Sequence, residues 1–122
     1  MLDPSATVHA YIAAFAAADA SAAAALFAAD AVLEDPVGTP PREGSEAILA
    51  FYQGAMQTGA TLTLTGPIRQ AADAVAFCFT VHINPPGAAP IQIDIIDVFR
   101  FNDAGKIRSM QAFWSPANVR TA

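Results

Sequence analysis

In the first half of the chain apolar residues recur every three or four positions, and in the second half every two. Asp3 followed by Pro4 predicts a helix start, with Asp as the cap and Pro in the first turn. Val8, Tyr11, Ile12 and Phe15 then form its apolar stripe. Asp19 and Ser21 restart the count for a second short helix ending near Phe27, with Leu26 and Phe27 on its stripe. A short strand, Ala31–Glu34, runs into Asp35 and Pro36. Residues 36–44 contain three prolines and two glycines and predict an irregular connection. Ser45 is the expected cap of a third helix, which carries Ile48, Leu49, Tyr52 and Met56 on one face.

From residue 61 the period changes. Thr61–Thr65 alternates, residues 73–84 are rich in β-branched and aromatic side chains, and Ile91–Phe101 alternates again after a proline-bounded hairpin loop, residues 85–90. Asn102–Gly105 reads as a turn, and Lys106–Trp114 as a last strand. Helices followed by hairpin-linked strands predict an α+β fold, a curved antiparallel sheet packed on three N-terminal helices in one domain, 1–122. Antiparallel pairing is expected because the connections are too short for crossovers.

The strand Ile91–Phe101 carries the informative anomaly. One face reads Ile91, Ile93, Ile95, Asp97, Phe99, Phe101; the other reads Gln92, Asp94, Ile96, Val98, Arg100. Asp94 shares its face with polar residues and needs no special explanation. Asp97 stands alone on an apolar face, where an ionised and unpaired carboxylate is costly. It is either a structural acid with a buried partner or a protonated acid that donates a hydrogen bond in a dry pocket. Asp35 sits between a strand end and Pro36, which disfavours helix at the preceding residue. It is either a loop cap or a carboxylate at a pocket rim. The chain's two tyrosines, Tyr11 and Tyr52, both fall on apolar helix stripes, where a phenol needs a partner for its hydroxyl.

Composition narrows the chemistry. A net charge of −5 without a basic patch argues against nucleic acid as a partner. No apolar run is long enough to span a membrane, and the alanine-rich start lacks the cationic residues of a signal peptide, so a soluble cytoplasmic protein is expected. Cys78 is alone and is expected to be a small buried hydrophobe. His9 and His82 lie far apart without a third ligand pattern, and no phosphate loop or nucleophile elbow occurs, so no metal or cofactor is expected.

The stretch from Val32 to Pro41, with Glu34-Asp35-Pro36-Val37-Gly38 at its centre, closely resembles the bacterial Δ5-3-ketosteroid isomerases. The resemblance continues through Ala50-Phe51-Tyr52, Leu64–Pro67, Ile93–Phe101 and Met110–Ser115, covering nearly the whole chain in one order. It implies a conical α+β barrel of the NTF2-like and SnoaL-like kind, usually a homodimer, that moves the double bond of a 3-oxo-Δ5-steroid without a cofactor. It implies that Asp35 is the base, that Tyr11 and Asp97 are the oxyanion donors, and that Tyr52 hydrogen-bonds Tyr11. It also implies that Phe79, Val81, Ile95, Phe99, Met110, Ala112 and Trp114 line the steroid pocket. Phe27 stands where some members carry a third tyrosine, so the hydroxyl chain is expected to be shorter. Two other readings stay open: another enzyme on the same fold, such as a polyketide cyclase or dehydratase, and a non-catalytic carrier of apolar ligands.

Overall fold

The computed structural model describes residues 3–121. Its elements are α1 (Pro4–Ala16), α2 (Ala20–Ala24), β1 (Phe27–Glu34), β2 (Arg42–Glu43), α3 (Ser45–Met56), β3 (Thr61–Leu64), β4 (Arg69–Ala71), β5 (Ala74–Ile83), β6 (Ile91–Phe101), β7 (Ile107–Phe113), a 3-10 turn (Pro116–Asn118) and β8 (Val119–Thr121). The strands form one curved sheet in the order β2-β1-β7-β6-β5-β3, with β4 on β5 and β8 on β6. The path runs from β2 to β3 without closing. α1 packs against β3 and β5, and α3 packs against β1 and β2, so the three helices cover one face. The α+β expectation holds.

The helices start where the sequence says they should. Asp3 accepts a hydrogen bond from the Ala6 amide at 2.7 Å, and Asp19 accepts one from Ala22 at 3.0 Å. Val8, Tyr11 and Phe15 of α1 and Ile48, Tyr52 and Met56 of α3 are buried against the sheet. Each such side chain contributes on the order of 2 kcal/mol by leaving water.

Several boundaries differ from expectation, each for a local reason. α2 ends at Ala24, not near Phe27, because Phe27 opens β1 in register with Ile107. The Ile107 amide donates to the Leu26 carbonyl at 2.9 Å, and the Lys106 ammonium donates to the Ala25 carbonyl at 2.7 Å, which supplies the helix end with partners. That pairing of β1 with β7 is parallel, so the sheet is mixed. The short-connection argument holds for the hairpins from β5 onward but does not govern β1, which reaches β7 across most of the chain. Gly44, not Ser45, is the cap of α3, and no side chain caps it. β7 is not the last strand: β8 follows and brings Arg120 beside Asp94 at 2.8 Å. With Thr80 also donating at 2.8 Å, Arg120 holds the Asp94 carboxyl down to about 2. Cys78 is only half-buried, on the sheet face turned away from the helices.

No helix among the described residues is long and apolar enough to cross a membrane, and no cluster of His, Cys, Asp or Glu among them could hold a metal ion.

Candidate active site

Between the helices and the concave sheet face lies a cavity of about 210 Å³ whose wall includes Tyr11, Asp35 and Asp97. Three elements that are far apart in sequence meet here. α1 supplies Tyr11, the loop after β1 supplies Asp35, and β6 supplies Asp97. Along β5 and β6 the register pairs Phe77 with Asp97, Phe79 with Ile95 and Val81 with Ile93. At ~3.3 Å per residue the wall from Asp97 to Ile93 is about 13 Å long. Beyond Asp97 it is hydrocarbon, continued by Ile83 on β5 and closed opposite by Phe51, Ala55, Thr58, Ala60 and Leu62.

Asp97 is 1% exposed, and neither carboxyl oxygen has a hydrogen-bond partner among the described residues. A carboxylate left bare in such surroundings takes up a proton instead. Burial first, and then the charge of Asp35, push its pKa well above the ordinary carboxylate range. Ala112 and Phe77, its strand neighbours on either side, offer no side-chain donor or acceptor. The structural alternative for Asp97, a buried acid with an Arg or amide partner, is therefore absent among the described residues.

Asp35 has a different environment. The Trp114 indole N–H donates to its Oδ1 at 2.8 Å. The Val37 amide donates to the Ala112 carbonyl at 2.9 Å, which fastens the loop to β7 beside that tryptophan. The Asp35–Pro36 peptide is cis, and Gly38 at φ 101° completes the turn in a conformation that L side chains rarely adopt. Burial raises the Asp35 pKa, while the Trp114 hydrogen bond and the Arg42 charge work to lower it. The two carboxyls are thus unlike each other: one is sealed and bare, the other is half-buried and supplied with a donor.

Tyr11 is 3% exposed and ringed by Phe15, Tyr52, Phe77 and Phe99 at centroid distances of 5.2–6.4 Å. The hydroxyls of Tyr52 and Tyr11 are 3.0 Å apart, with Tyr52 as donor. That polarity makes physical sense. Tyr52 is fully sealed and absent from the cavity wall, so Tyr11 is its outlet, whereas Tyr11 has the cavity for its own proton. Burial keeps both phenols well above their ordinary range, hence neutral. Phe27, where a further hydroxyl was in question, packs its ring 5.7 Å from that of Tyr52, so the chain of hydroxyls ends at Tyr52.

Of the expected lining residues, Phe79, Val81, Ile95 and Trp114 are on the cavity wall. Tyr52, Phe99, Met110 and Ala112 are buried but lie off it. Phe99 packs on Tyr11, Phe77 and Phe27, and pairs with Met110, so this layer forms a floor beneath the Asp97 level. Sequence reasoning passed over Phe15, Phe51, Ile83 and Ile93. Ile83 and Ile93 follow from extending the same period-two faces by one step, and Phe51 adjoins Tyr52.

A family model described as a SnoaL-like domain matches residues 8–110. A steroid Delta-isomerase from Nocardioides simplex is 40% identical over 114 residues, which are 93% of this chain and 91% of that protein. Among solved structures, SalBIII, described as an epoxide hydrolase/cyclase-like enzyme in pyran ring formation in the polyether salinomycin, superposes with a TM-score of 0.90. It is 26% identical, over 97% of this chain and 95% of that one.

Proposed function

The chain belongs to the SnoaL-like domain family, and from that premise we propose that it is a steroid isomerase that moves the double bond of a 3-oxo-Δ5-steroid into conjugation. The observation that carries this reading is Asp97, an acid with two unpartnered oxygens on the wall of an apolar cavity that it shares with Tyr11 and Asp35. The 40% identity to a steroid Delta-isomerase supports the same chemistry.

The C–H between the carbonyl and the double bond of such a substrate is acidified by both. Asp35 removes that proton from carbon 4, and the electron pair moves into a dienolate whose charge sits on the 3-oxygen. Tyr11 and Asp97, both neutral, donate hydrogen bonds to that oxygen. Preorganised donors of this kind are worth roughly 3 kcal/mol each where charge develops. Asp35 then returns its proton to carbon 6, and the conjugated enone leaves. The hydrocarbon wall from Ile95 to Ile83 suits a rigid polycyclic substrate, and the proton shuttle needs no cofactor.

Ile96 and Phe113 are opposite each other in register on the outer sheet face and are 46% and 45% exposed. This apolar pair supports a homodimer through that face, for which sedimentation of Ile96→Lys, expected to be monomeric, is the check.

The likeness to SalBIII favours a second reading, in which the same acids open an epoxide and direct ring closure. One assay separates the two. Ultraviolet absorbance is followed after mixing the protein with 5-androstene-3,17-dione, with Asp35→Asn alongside. Growth of the enone band that is lost in the variant supports the isomerase. A flat trace from folded protein that binds the steroid sinks it and leaves the cyclase or a carrier.

A further inference from the structure

Among the described residues, Arg42 forms no ion pair. The ion pairs among the described residues join Arg108 to Asp73 and Arg120 to Asp94. Arg42 instead lays its guanidinium 4.7 Å from the centroid of the Phe51 ring. Phe51 lines the cavity, and it also lines a shallow groove on its far side together with Arg42, Ala47, Ala50 and Gly54. Phe51 therefore borders both the cavity that Asp35 lines and the groove that Arg42 lines. The placement follows from β2: Arg42 pairs with Leu33 on β1, two residues before Asp35.

We propose that Arg42 is a positioning residue for the base, its unpaired positive charge acting on Asp35 from beside the Phe51 ring. This rests on the reading of Asp35 as the base. The other titratable groups around Asp35 offer no comparable help. Tyr11, Tyr52 and Asp97 are buried and neutral. Glu34, its chain neighbour, accepts from Gln111 at 3.4 Å and brings negative charge. Glu43 alternates onto the opposite face of β2 and is exposed. Trp114 supplies a dipole, so among the described residues Arg42 is the cation that acts on Asp35. Its charge favours the ionised carboxylate against the burial that opposes it, in agreement with the direction in which it acts on Asp35. A cation held against an aromatic ring does this without forming an ion pair that would tie up the carboxylate oxygens.

The test titrates Asp35 by carbon NMR of labelled carboxyls in the wild type, Arg42→Met, Arg42→Gln and Arg42→Lys, and records kcat/KM against pH with 5-androstene-3,17-dione. Two neutral variants are used so that one poorly folded protein does not decide the matter. In both, the Asp35 midpoint and the acid limb of kcat/KM should move together to higher pH. The rate should fall about threefold below the wild-type midpoint and be unchanged well above it. Arg42→Lys should restore most of the wild-type profile. An unmoved Asp35 midpoint in the neutral variants, or a lysine variant no better than they are, overturns the proposal. If no variant turns over the steroid, the isomerase reading fails, and the NMR titration still decides what Arg42 does to Asp35.

Discussion

The Tyr52 hydroxyl donates to the Tyr11 hydroxyl across 3.0 Å in a part of the core from which water is excluded. A hydroxyl that already accepts a hydrogen bond is a better donor, because negative charge growing on its oxygen is partly neutralised. Tyr52→Phe removes that support and leaves the cavity wall untouched. We expect kcat to fall about tenfold, steroid affinity to change little, and stability to drop by about 1 kcal/mol from the lost buried hydrogen bond. Steady-state kinetics and urea denaturation check both halves.

Periodicity made part of this site legible in the sequence, while Asp35 as the base and the lining residues came only from the family resemblance. Asp97 is conspicuous because strict alternation puts it among Ile93, Ile95 and Phe99, and the observed strand has the bounds that alternation gives. Tyr11 and Tyr52 are legible as helix-stripe residues for the same reason. The parallel pairing of β1 with β7 left no such trace, because an alanine-rich segment has high helical propensity at every position and Phe27 alone does not say where the helix stops. The Trp114–Asp35 hydrogen bond joins residues 79 positions apart, and neither side of it has a local signature. Nor did the turn-rich segment 36–44 announce the two-residue strand that delivers Arg42.

Tyr11→Phe tests the other side of the tyrosine pair. It deletes a donor from the cavity wall and also leaves the Tyr52 hydroxyl without an acceptor. We expect kcat to fall on the order of 10²–10³-fold, well beyond the Tyr52→Phe loss. Equal losses in the two variants would mean that Tyr11 acts only as part of the core.

Among the described residues, Trp114 gives Asp35 its only direct side-chain hydrogen bond. That bond favours the ionised carboxylate, so its removal raises the Asp35 midpoint further above the ordinary value. In the proposed mechanism activity requires the carboxylate and is lost as pH falls through that midpoint. Trp114→Phe should therefore move the acid limb of kcat/KM to higher pH, with a loss of about tenfold at neutral pH from the less well-held base. A variant whose profile is lowered uniformly, with its limb in place, would show that the indole only packs against substrate.

Asp97 should be a burden on the fold at the pH where it is useful. Burial, and then the charge of Asp35, raise its folded-state pKa. For a group shifted in that direction, the stabilisation is complete below the unfolded carboxylate value near ~4 and is lost as pH rises toward the folded value, at about 1.4 kcal/mol per pH unit. Asp97→Asn carries no titrating proton. Its stability measured against the wild type should therefore improve steadily from about pH 4 upward at that slope, read by urea denaturation across the range. The kinetics should move the other way. An amide N–H can still donate to the substrate oxygen, so Asp97→Asn should lose about tenfold in kcat, whereas Asp97→Leu, with no donor, should lose on the order of 10²–10³-fold. A flat stability difference would mean that Asp97 has the same acidity folded and unfolded, and the bare carboxyl could not then be the neutral donor that the mechanism needs.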